Sequence, residues 1–463
     1  GRHMNTGEQM EPVVETAREE LTLASVDGHP DADTHVPTVD EAIAPAEKLP
    51  PLWRNRDYML LWSGQVVSAL GSSMSNIVFP LLILALANED PALAGIAATL
   101  AGLAGALASL PYLIFSLPVG ALIDRWDRKR VMIICDLLRA VNFATIPIAM
   151  FTGTLTIWQL FANAFIEGTF FVFFNIAEVA ALPRVVQKRQ LPQASAQNEA
   201  GFIAAFAAGP PLGGFLFGTV SRALPFIIDA VSYAFSVVSL LFIKTKFQGE
   251  RKVEERHIMA EIKEGLSWLW QHPLIRYMAL LTGASNFVGS ATGLILIVMA
   301  RQMGASETEI GWMFTIGSLG GIAGSVLGGQ IQKRFTFGQV IITVGWVNLM
   351  LLPLYLLAPN FFFLGVVSAF IFMMSPIYNV VQFSYRLALI PDELQGRVNS
   401  TFRLVAFGFQ PMGQALAGVL IDSIGTTGAI LFYVAWAGVF AVVTTLNSHV
   451  RNARPIEQVV AEL

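Results

Sequence analysis

Long apolar runs separated by short polar segments make up most of the chain. Twelve of these runs are long enough to cross a hydrocarbon core roughly 30 Å thick as helices. They lie near residues 58–87, 92–123, 131–151, 155–182, 196–220, 222–243, 275–300, 307–331, 337–357, 360–389, 397–421 and 426–447. Because lipid offers the backbone no hydrogen-bond partners, only helices and closed barrels span it, and runs of this length suit helices. The pattern therefore predicts an all-α polytopic membrane protein with twelve transmembrane helices.

Basic residues are distributed unevenly among the loops between these spans. If the amino terminus is cytoplasmic, the internal loops hold most of the Lys and Arg beyond residue 50, and the external loops hold only Arg222 and Arg301. Basic residues collect on the cytoplasmic side of membrane proteins. The pattern therefore predicts that both termini are cytoplasmic.

The longest internal connection divides the spans into two sets of six. We expect a disordered acidic tail at 1–50, a six-helix bundle at 51–243, a cytoplasmic linker at 244–274, a second six-helix bundle at 275–449 and a C-terminal tail at 450–463. The first tail carries eleven acidic and three basic residues and no aromatic one, so it cannot bury enough apolar surface to fold. Apolar residues recur at helical spacing from Ile258, which indicates an amphipathic helix on the membrane surface.

A weak internal repeat relates the two sets of helices. Four residues of the fifth span recur at one constant separation in the eleventh: Asn198, Ala205, Phe206 and Pro210 correspond to Asn399, Ala406, Phe407 and Pro411. Duplicated six-helix halves are a known plan of transporters, with the substrate site at their interface. The repeat predicts two pseudo-symmetric halves.

Composition agrees with a membrane protein and argues against catalysis. Hydrophobic residues make up 54% of the chain and charged residues only 13%, against roughly 25% charged in soluble domains. Cys135 is the only cysteine, and no Gly-x-x-x-x-Gly-Lys-Ser/Thr loop occurs. We therefore expect no enzymatic activity, no cofactor, no metal site and no nucleic-acid partner.

The spans contain few ionisable residues, and each needs a reason because charge is expensive in hydrocarbon. The main ones are Asp136, Arg139, Glu167, Glu178, Glu199, Asp229, Arg403 and Asp422. Candidates for proton coupling are Glu167, Glu178, Asp136 and Arg139, whereas we expect a structural role for Asp229 and a solvated helix cap at Asp422. Glu167 lies near the middle of the fourth span, where protonation would compete with substrate. Three- and four-residue steps place it on one helical face with other candidate contacts, namely Asn163, Phe170, Phe174 and Glu178. A face of carboxylates and aromatic rings suits lipophilic and cationic solutes.

Other interpretations of these charges remain open. Glu167 is alternatively a structural residue bonded to a neighbouring helix, and Glu178 either reaches toward water or pairs with Arg184. Asp136 and Arg139, three residues apart, either neutralise each other or leave Arg139 to pair with Glu178 or Glu199.

Several motifs resemble those of one transporter superfamily. The loop at 120–130 contains Gly120, Leu122, Asp124, Arg125, Arg128 and Lys129, with Asp127 where the motif usually has glycine. Further matches are the segments 229–233, 264–266, 272–273 and 391–398. With these motifs the chain resembles the major facilitator superfamily and, within it, the drug:proton antiporter-3 branch, which includes macrolide-efflux-like and siderophore-exporter-like proteins.

The resemblance implies roles for two further groups of residues. A conformational gate would comprise Gly120, Asp124, Arg125, Arg128, Arg397 and Arg403, with Asp124 held at the amino terminus of the eleventh helix. An antiporter motif in the fifth span would comprise Gly209, Pro210, Gly213 and Gly214, although ordinary close packing explains these residues equally well. In the superfamily the first and fourth helices of each half line the cavity. That adds as substrate contacts Gln65, Asn76, Asn286, Asn379 and Gln382, although interhelical hydrogen bonds explain most of them equally well.

The resemblance implies a secondary active transporter that exports lipophilic, drug-like molecules by proton antiport with alternating access. Its partners would be the solute, protons and the lipid of a prokaryotic inner membrane, in which we expect a monomer. Alternatives are export of a siderophore, lipid or metal, uncoupled facilitation, or a non-transporting membrane receptor.

Overall fold

The computed structural model describes residues 50–248, 258–391 and 394–453. The predicted acidic tail, apart from Pro50, lies outside these residues. So do part of the linker and most of the predicted C-terminal tail. The described residues are almost entirely helical and contain no strand.

The first half of the chain contains six long helices. They are α1 (Arg56–Glu89), α2 (Ala97–Arg125), α3 (Arg128–Thr152), α4 (Ile157–Val185), α5 (Leu191–Phe215) and α6 (Leu224–Phe242). A π-helical turn, Leu216–Val220, extends α5. These helices correspond to the first six predicted spans.

The second half begins with the predicted amphipathic helix, which is present as α7. This helix, α7, spans Ile258–Gln271. The helices that follow are α8 (Pro273–Gln302), α9 (Glu307–Arg334), α10 (Phe337–Leu351), α11 (Phe361–Leu389), α12 (Gln395–Gly408), α13 (Gln410–Leu446) and α14 (Ser448–Arg451). A 3-10 turn, Leu352–Leu357, extends α10.

Eleven helical segments of the described chain are long and apolar enough to cross a membrane. The last of them, Gln395–Leu446, has 52 residues, which is enough for two crossings. Its helix is interrupted at Gly425, whose φ of 76° and ψ of 171° suit only glycine. The segment therefore supplies the eleventh and twelfth spans, and the predicted all-α fold with twelve spans is confirmed.

Short polar side chains define where many helices begin. Asn55, Asp127 and Thr156 accept hydrogen bonds from backbone N–H groups in the first turns of α1, α3 and α4. Ser306 and Thr336 form full capping boxes at the starts of α9 and α10. Because the first N–H groups of a helix have no partner within it, such caps fix the boundaries in the sequence.

The helices pack in the same arrangement in both halves. In the first half α2 packs on α4, and α1 packs on α5 and α6. In the second half α9 packs on α11, and α8 packs on α13. This correspondence agrees with the internal repeat of the sequence and confirms two pseudo-symmetric halves.

The halves meet where α2 packs on α13 and α5 packs on α9. Their closest contacts lie at the end of the bundle where α2 and α9 begin, which the charge pattern predicts to be external and which we call the outer end. Added Cβ atoms at Gly102 and Gly418 would lie 3.1 Å from Gly418 Cα and 2.7 Å from Thr99 Cα, respectively. At the opposite end, Cβ atoms at Gly120 and Gly396 would meet nothing within 4 Å. The described halves are therefore closed at the outer end.

Candidate functional site

A cavity of about 670 Å³ lies between the two halves, and we call it the central cavity. Its first-half wall includes Asn76 of α1, Tyr112 of α2 and Glu167 of α4, and its second-half wall includes Arg403 of α12 and Gln414 of α13. Most of the lining is apolar, with a few convergent polar groups. These are the properties of a small-molecule site.

The Glu167 side chain joins the cavity to a buried ion pair. Its Oε1 accepts hydrogen bonds from Arg139 Nε at 2.9 Å and Nη2 at 2.5 Å, and from the Tyr233 hydroxyl at 3.0 Å. The other oxygen, Oε2, is buried and has no hydrogen-bond partner among the described residues. The side chain as a whole is 19% exposed. Glu167 thus lines the cavity, while one of its carboxylate oxygens is buried and lacks a hydrogen-bond partner in the described chain.

Arg139 lies at the centre of a group of polar side chains that we call the charge cluster. Its members are Asp136, Arg139, Glu167, Glu178, Asp229 and Tyr233. The Arg139 guanidinium lies over the Tyr233 ring, 4.1 Å from the centroid, and Nη1 is 3.5 Å from Asp136 Oδ1. The Arg139 side chain is only 6% exposed and Asp136 is fully buried. Glu178 lies close enough to interact electrostatically with both Asp136 and Arg139.

Asp229 adds a further buried carboxylate. It is fully buried, accepts a short hydrogen bond from the Ser75 hydroxyl, and has the Ser232 hydroxyl 3.3 Å from Oδ1. Arg139 is therefore the one basic residue of the charge cluster, which holds four carboxyl groups. Four carboxyl groups around one cation are costly to bury in a low dielectric, which makes the charge cluster a candidate functional site.

Three predicted substrate contacts line the central cavity: Asn76, Asn163 and Glu167. Phe170 and Phe174, predicted on the same face of α4, pack in the first-half core instead, and Phe171 and Asn175 line the cavity. Phe170 lies three residues and Phe171 four residues after Glu167, and both steps lead to nearly the same face of a helix. The rotation of α4 against its neighbours decides which step faces the cavity.

The remaining predicted contacts lie elsewhere. Gln65 and Gln382 are buried and line neither the central cavity nor a second cavity, which lies within the second half and is described below. Asn286 and Asn379 line that second cavity. Asn286 also donates a hydrogen bond to the Ala406 carbonyl at 2.8 Å.

The predicted gate residues are dispersed in this conformation. Arg125 is exposed, and the Asp124 side chain lies outside the description. Arg128 donates to the carbonyls of Ala180 at 2.9 Å and Phe247 at 3.3 Å, so it ties parts of the first half together. Gly120 has open space beside it.

Arg397 and Arg403 make different contacts. Arg397 pairs with Glu264 at 2.6 Å and so joins α12 to α7 within the second half. Arg403 donates a hydrogen bond to the Tyr112 hydroxyl of the first half. Of the two, Arg403 connects the halves and faces the central cavity.

The glycines of the fifth-span motif lie at close helix contacts. A Cβ at Gly209 would lie 2.5 Å from Ser73 Cβ, and one at Gly213 would lie 3.0 Å from Met74 of α1. Gly214 faces Glu307 and Pro210 faces Gly311 of α9. These residues let α5 approach both α1 and the other half. Packing accounts for them, and a specific antiport role stays a prediction.

Three features of this region were not predicted from the sequence: the place of Asp229 in the charge cluster, the hydrogen bonds of Tyr233 with Arg139 and Glu167, and the contact of Asp422, which was expected to be a solvated cap. Asp422, on α13, instead accepts hydrogen bonds from the N–H groups of Ala98 at 3.2 Å and Thr99 at 2.6 Å, across the interface between the halves. No group of three or more potential metal ligands is found within the described residues.

Comparison with known proteins places the chain in a family. The model of a family described as transmembrane secretion effector matches residues 46–461. The multidrug efflux pump Tap of Mycolicibacterium fortuitum is 25% identical over 388 residues, covering 81% of this chain and 91% of the relative. Macrolide efflux protein A of Streptococcus pyogenes is 25% identical over 383 residues, with the same coverage of 81% and 91%.

Solved structures share the fold. The nucleoside transporter NupG aligns with a TM-score of 0.64 at 14% identity, covering 84% of this chain and 98% of that one. A bacterial homologue of the human lysosomal transporter Spinster, in an inward-facing and unoccupied conformation, aligns with a TM-score of 0.64 at 13% identity, covering 86% and 98%. At these identities the likeness concerns the fold.

Proposed function

The chain belongs to the transmembrane secretion effector family of the major facilitator superfamily, and on that premise we propose that it exports lipophilic, drug-like molecules in exchange for protons. The names of two relatives, a multidrug efflux pump and a macrolide efflux protein, support export of such molecules. The proposal places the protein in a prokaryotic inner membrane with both termini in the cytoplasm, as the distribution of basic residues predicts.

One observation carries this proposal: Glu167 lines the central cavity and belongs to the charge cluster. A solute in the cavity meets a mostly apolar wall that includes Phe171 and the partly exposed side chain of Glu167. Aromatic rings and a carboxylate together attract lipophilic cations. Glu167 is thus positioned to bind either a solute or a proton.

Proton exchange follows from the bonding of Arg139. While Glu167 is ionised, its Oε1 holds Nε and Nη2 of Arg139. A proton arriving on Glu167 neutralises that charge, so Arg139 keeps Asp136, 3.5 Å away, as its remaining ion-pair partner. The protonated Glu167 no longer attracts a cation in the cavity, which favours release of the solute. Deprotonation on the cytoplasmic side restores the binding state.

Alternating access is supported by the uneven contacts between the halves. At the outer end Thr315 of α9 donates a hydrogen bond to the Ala207 carbonyl of α5 at 2.7 Å, and Asp422 binds the start of α2. Rocking of the two halves about the central cavity would break these contacts and open the cavity outward.

The test removes the ionisable group while keeping its size. Purified Glu167→Gln protein in liposomes with an imposed pH gradient should lose gradient-driven efflux of tetraphenylphosphonium, a lipophilic cation, because the variant cannot exchange a proton. Glu199→Gln, which changes an exposed carboxylate of α5, is the matched control and should keep wild-type efflux.

Wild-type efflux in Glu167→Gln, with the same dependence on the gradient, would rule out Glu167 as the coupling residue. Efflux by the unmodified protein that continues after the gradient is collapsed would rule out proton antiport.

A further inference from the structure

A second cavity of about 450 Å³ lies within the second half, and we call it the C-half cavity. Its walls come from α8, from α10 and its 3-10 extension, from α11, and from the part of α13 beyond Gly425. These are the first, third, fourth and sixth spans of their half. The charge cluster lies on the third, fourth and sixth spans of the first half, and Ser75 of the first span donates a hydrogen bond to its Asp229.

The two halves differ at this shared position. In the first half the space is filled by Arg139, its carboxylates and the Tyr233 ring. In the second half the lining contains no charged residue among those described, and small residues, Gly345 and Ala437, leave the space open. A Cβ at Gly345 would meet only Ala441, at 3.8 Å. Pseudo-symmetry has thus produced one charged cluster and one uncharged cavity.

The uncharged cavity offers hydrogen-bonding groups to a solute. Ser285 and Asn379 are exposed residues of its lining, and neither side chain forms a hydrogen bond with another described residue. Two buried atoms of lining residues, Asn348 Oδ1 and Trp436 Nε1, also have no partner in this part of the chain. A buried polar atom without a partner is unfavourable, so a molecule that pairs with one is stabilised.

We propose that the C-half cavity binds uncharged lipophilic molecules that carry a few hydrogen-bonding groups. The inference rests on the proposed export function and extends it to a second class of solute. Its volume suits a rigid molecule of drug size. A cation loses its hydration on entering a buried site and needs an anionic partner there, and the described lining of the C-half cavity contains none. Cations therefore bind at the central cavity and uncharged molecules at the C-half cavity.

Two radiolabelled probes separate the sites in an equilibrium binding assay on protein in lipid nanodiscs. Progesterone is rigid and uncharged and has two carbonyl acceptors, whereas tetraphenylphosphonium is a permanent cation. Gly345→Leu and Ala437→Leu fill the C-half cavity and should each weaken progesterone binding by about tenfold or more, as expected for overpacking by an added side chain. Tetraphenylphosphonium binding should stay unchanged in both variants.

The matched control is Gly329→Leu, which adds the same side chain to an exposed position of α9 with nothing within 4 Å. It should bind both probes as the wild type does. Glu167→Gln should weaken binding of the cation alone, and neither probe should displace the other.

The proposal is overturned if both cavity-filling variants bind progesterone normally while binding the cation, or if the two probes compete for one site. Loss of progesterone binding in Gly329→Leu as well would also overturn it. Failure of the proposed function is a separate result: the gradient would drive no cation efflux although progesterone still binds in the C-half cavity.

Discussion

At the scale of single residues, Arg139 is the cation that pairs with the intramembrane carboxylates of Asp136 and Glu167. The sequence placed Asp136, Arg139, Glu167 and Glu178 within spans, but it did not pair Arg139 with Glu167. That contact joins α3 to α4 over 28 positions, and no local spacing reveals it. Removing one partner of a buried ion pair typically costs about 3–5 kcal/mol, because it leaves an uncompensated charge.

Arg139→Met should therefore lower the unfolding free energy by about 3–5 kcal/mol, since Asp136 and Glu167 lose their cation. Thermal unfolding of the purified variant in detergent would measure the loss. The double variant Arg139→Met/Glu167→Gln removes one of the stranded charges and should recover part of the stability. Strictly additive losses in the two single variants and the double variant would show that the two side chains are not coupled.

At the scale of elements, Asp422 connects α13 to the amino terminus of α2 at the outer end. Two N–H groups of α2 donate to its carboxylate, where the helix dipole also favours negative charge. This contact mirrors, at the opposite end, the one that the sequence predicted for Asp124 at the start of the eleventh span. It stabilises the outer-closed arrangement.

Asp422→Asn should shift the protein toward outward opening, because it removes a charge–dipole interaction of about 0.3–2 kcal/mol. Spin labels on Pro91→Cys and Met303→Cys in a Cys135→Ser background would measure the distance between the halves by pulsed electron paramagnetic resonance. The longer-distance population should grow. The neighbouring Ser423→Ala removes a hydroxyl that bonds only within its own helix and should leave the distances unchanged. Equal distance distributions in the wild type and Asp422→Asn would show that the Asp422 contact does not stabilise the outer-closed arrangement.

At the scale of the whole molecule, the two halves share an arrangement of helices but differ in chemistry. The first half holds the charge cluster, and the second holds the uncharged cavity at the corresponding position. The two halves of one bundle therefore differ in charge where their folds correspond.

The orientation of this bundle can be tested by labelling from each side. Arg130→Cys, in the first turn of α3, and Thr154→Cys, just beyond its end, place exposed thiols at opposite ends of this helix in a Cys135→Ser background. A membrane-impermeant maleimide should react with position 130 only in inside-out vesicles and with position 154 only in intact cells, because the proposed topology puts the basic loop in the cytoplasm. The reverse pattern would invert the proposed topology.

The sequence by itself determined the twelve spans, the two halves and the amphipathic helix, because these depend on local hydrophobicity, short caps and loop charge. It also selected Glu167 as a candidate residue of the cavity, since a carboxylate in mid-span is costly in any orientation. Only the tertiary structure decided that Arg139 bonds to it, that Phe171 rather than Phe170 faces the cavity, and that Asp422 binds α2. Each of these depends on the rotation and register of one helix against another. Many side chains distant in sequence set that packing together, and the local pattern of the chain does not encode it.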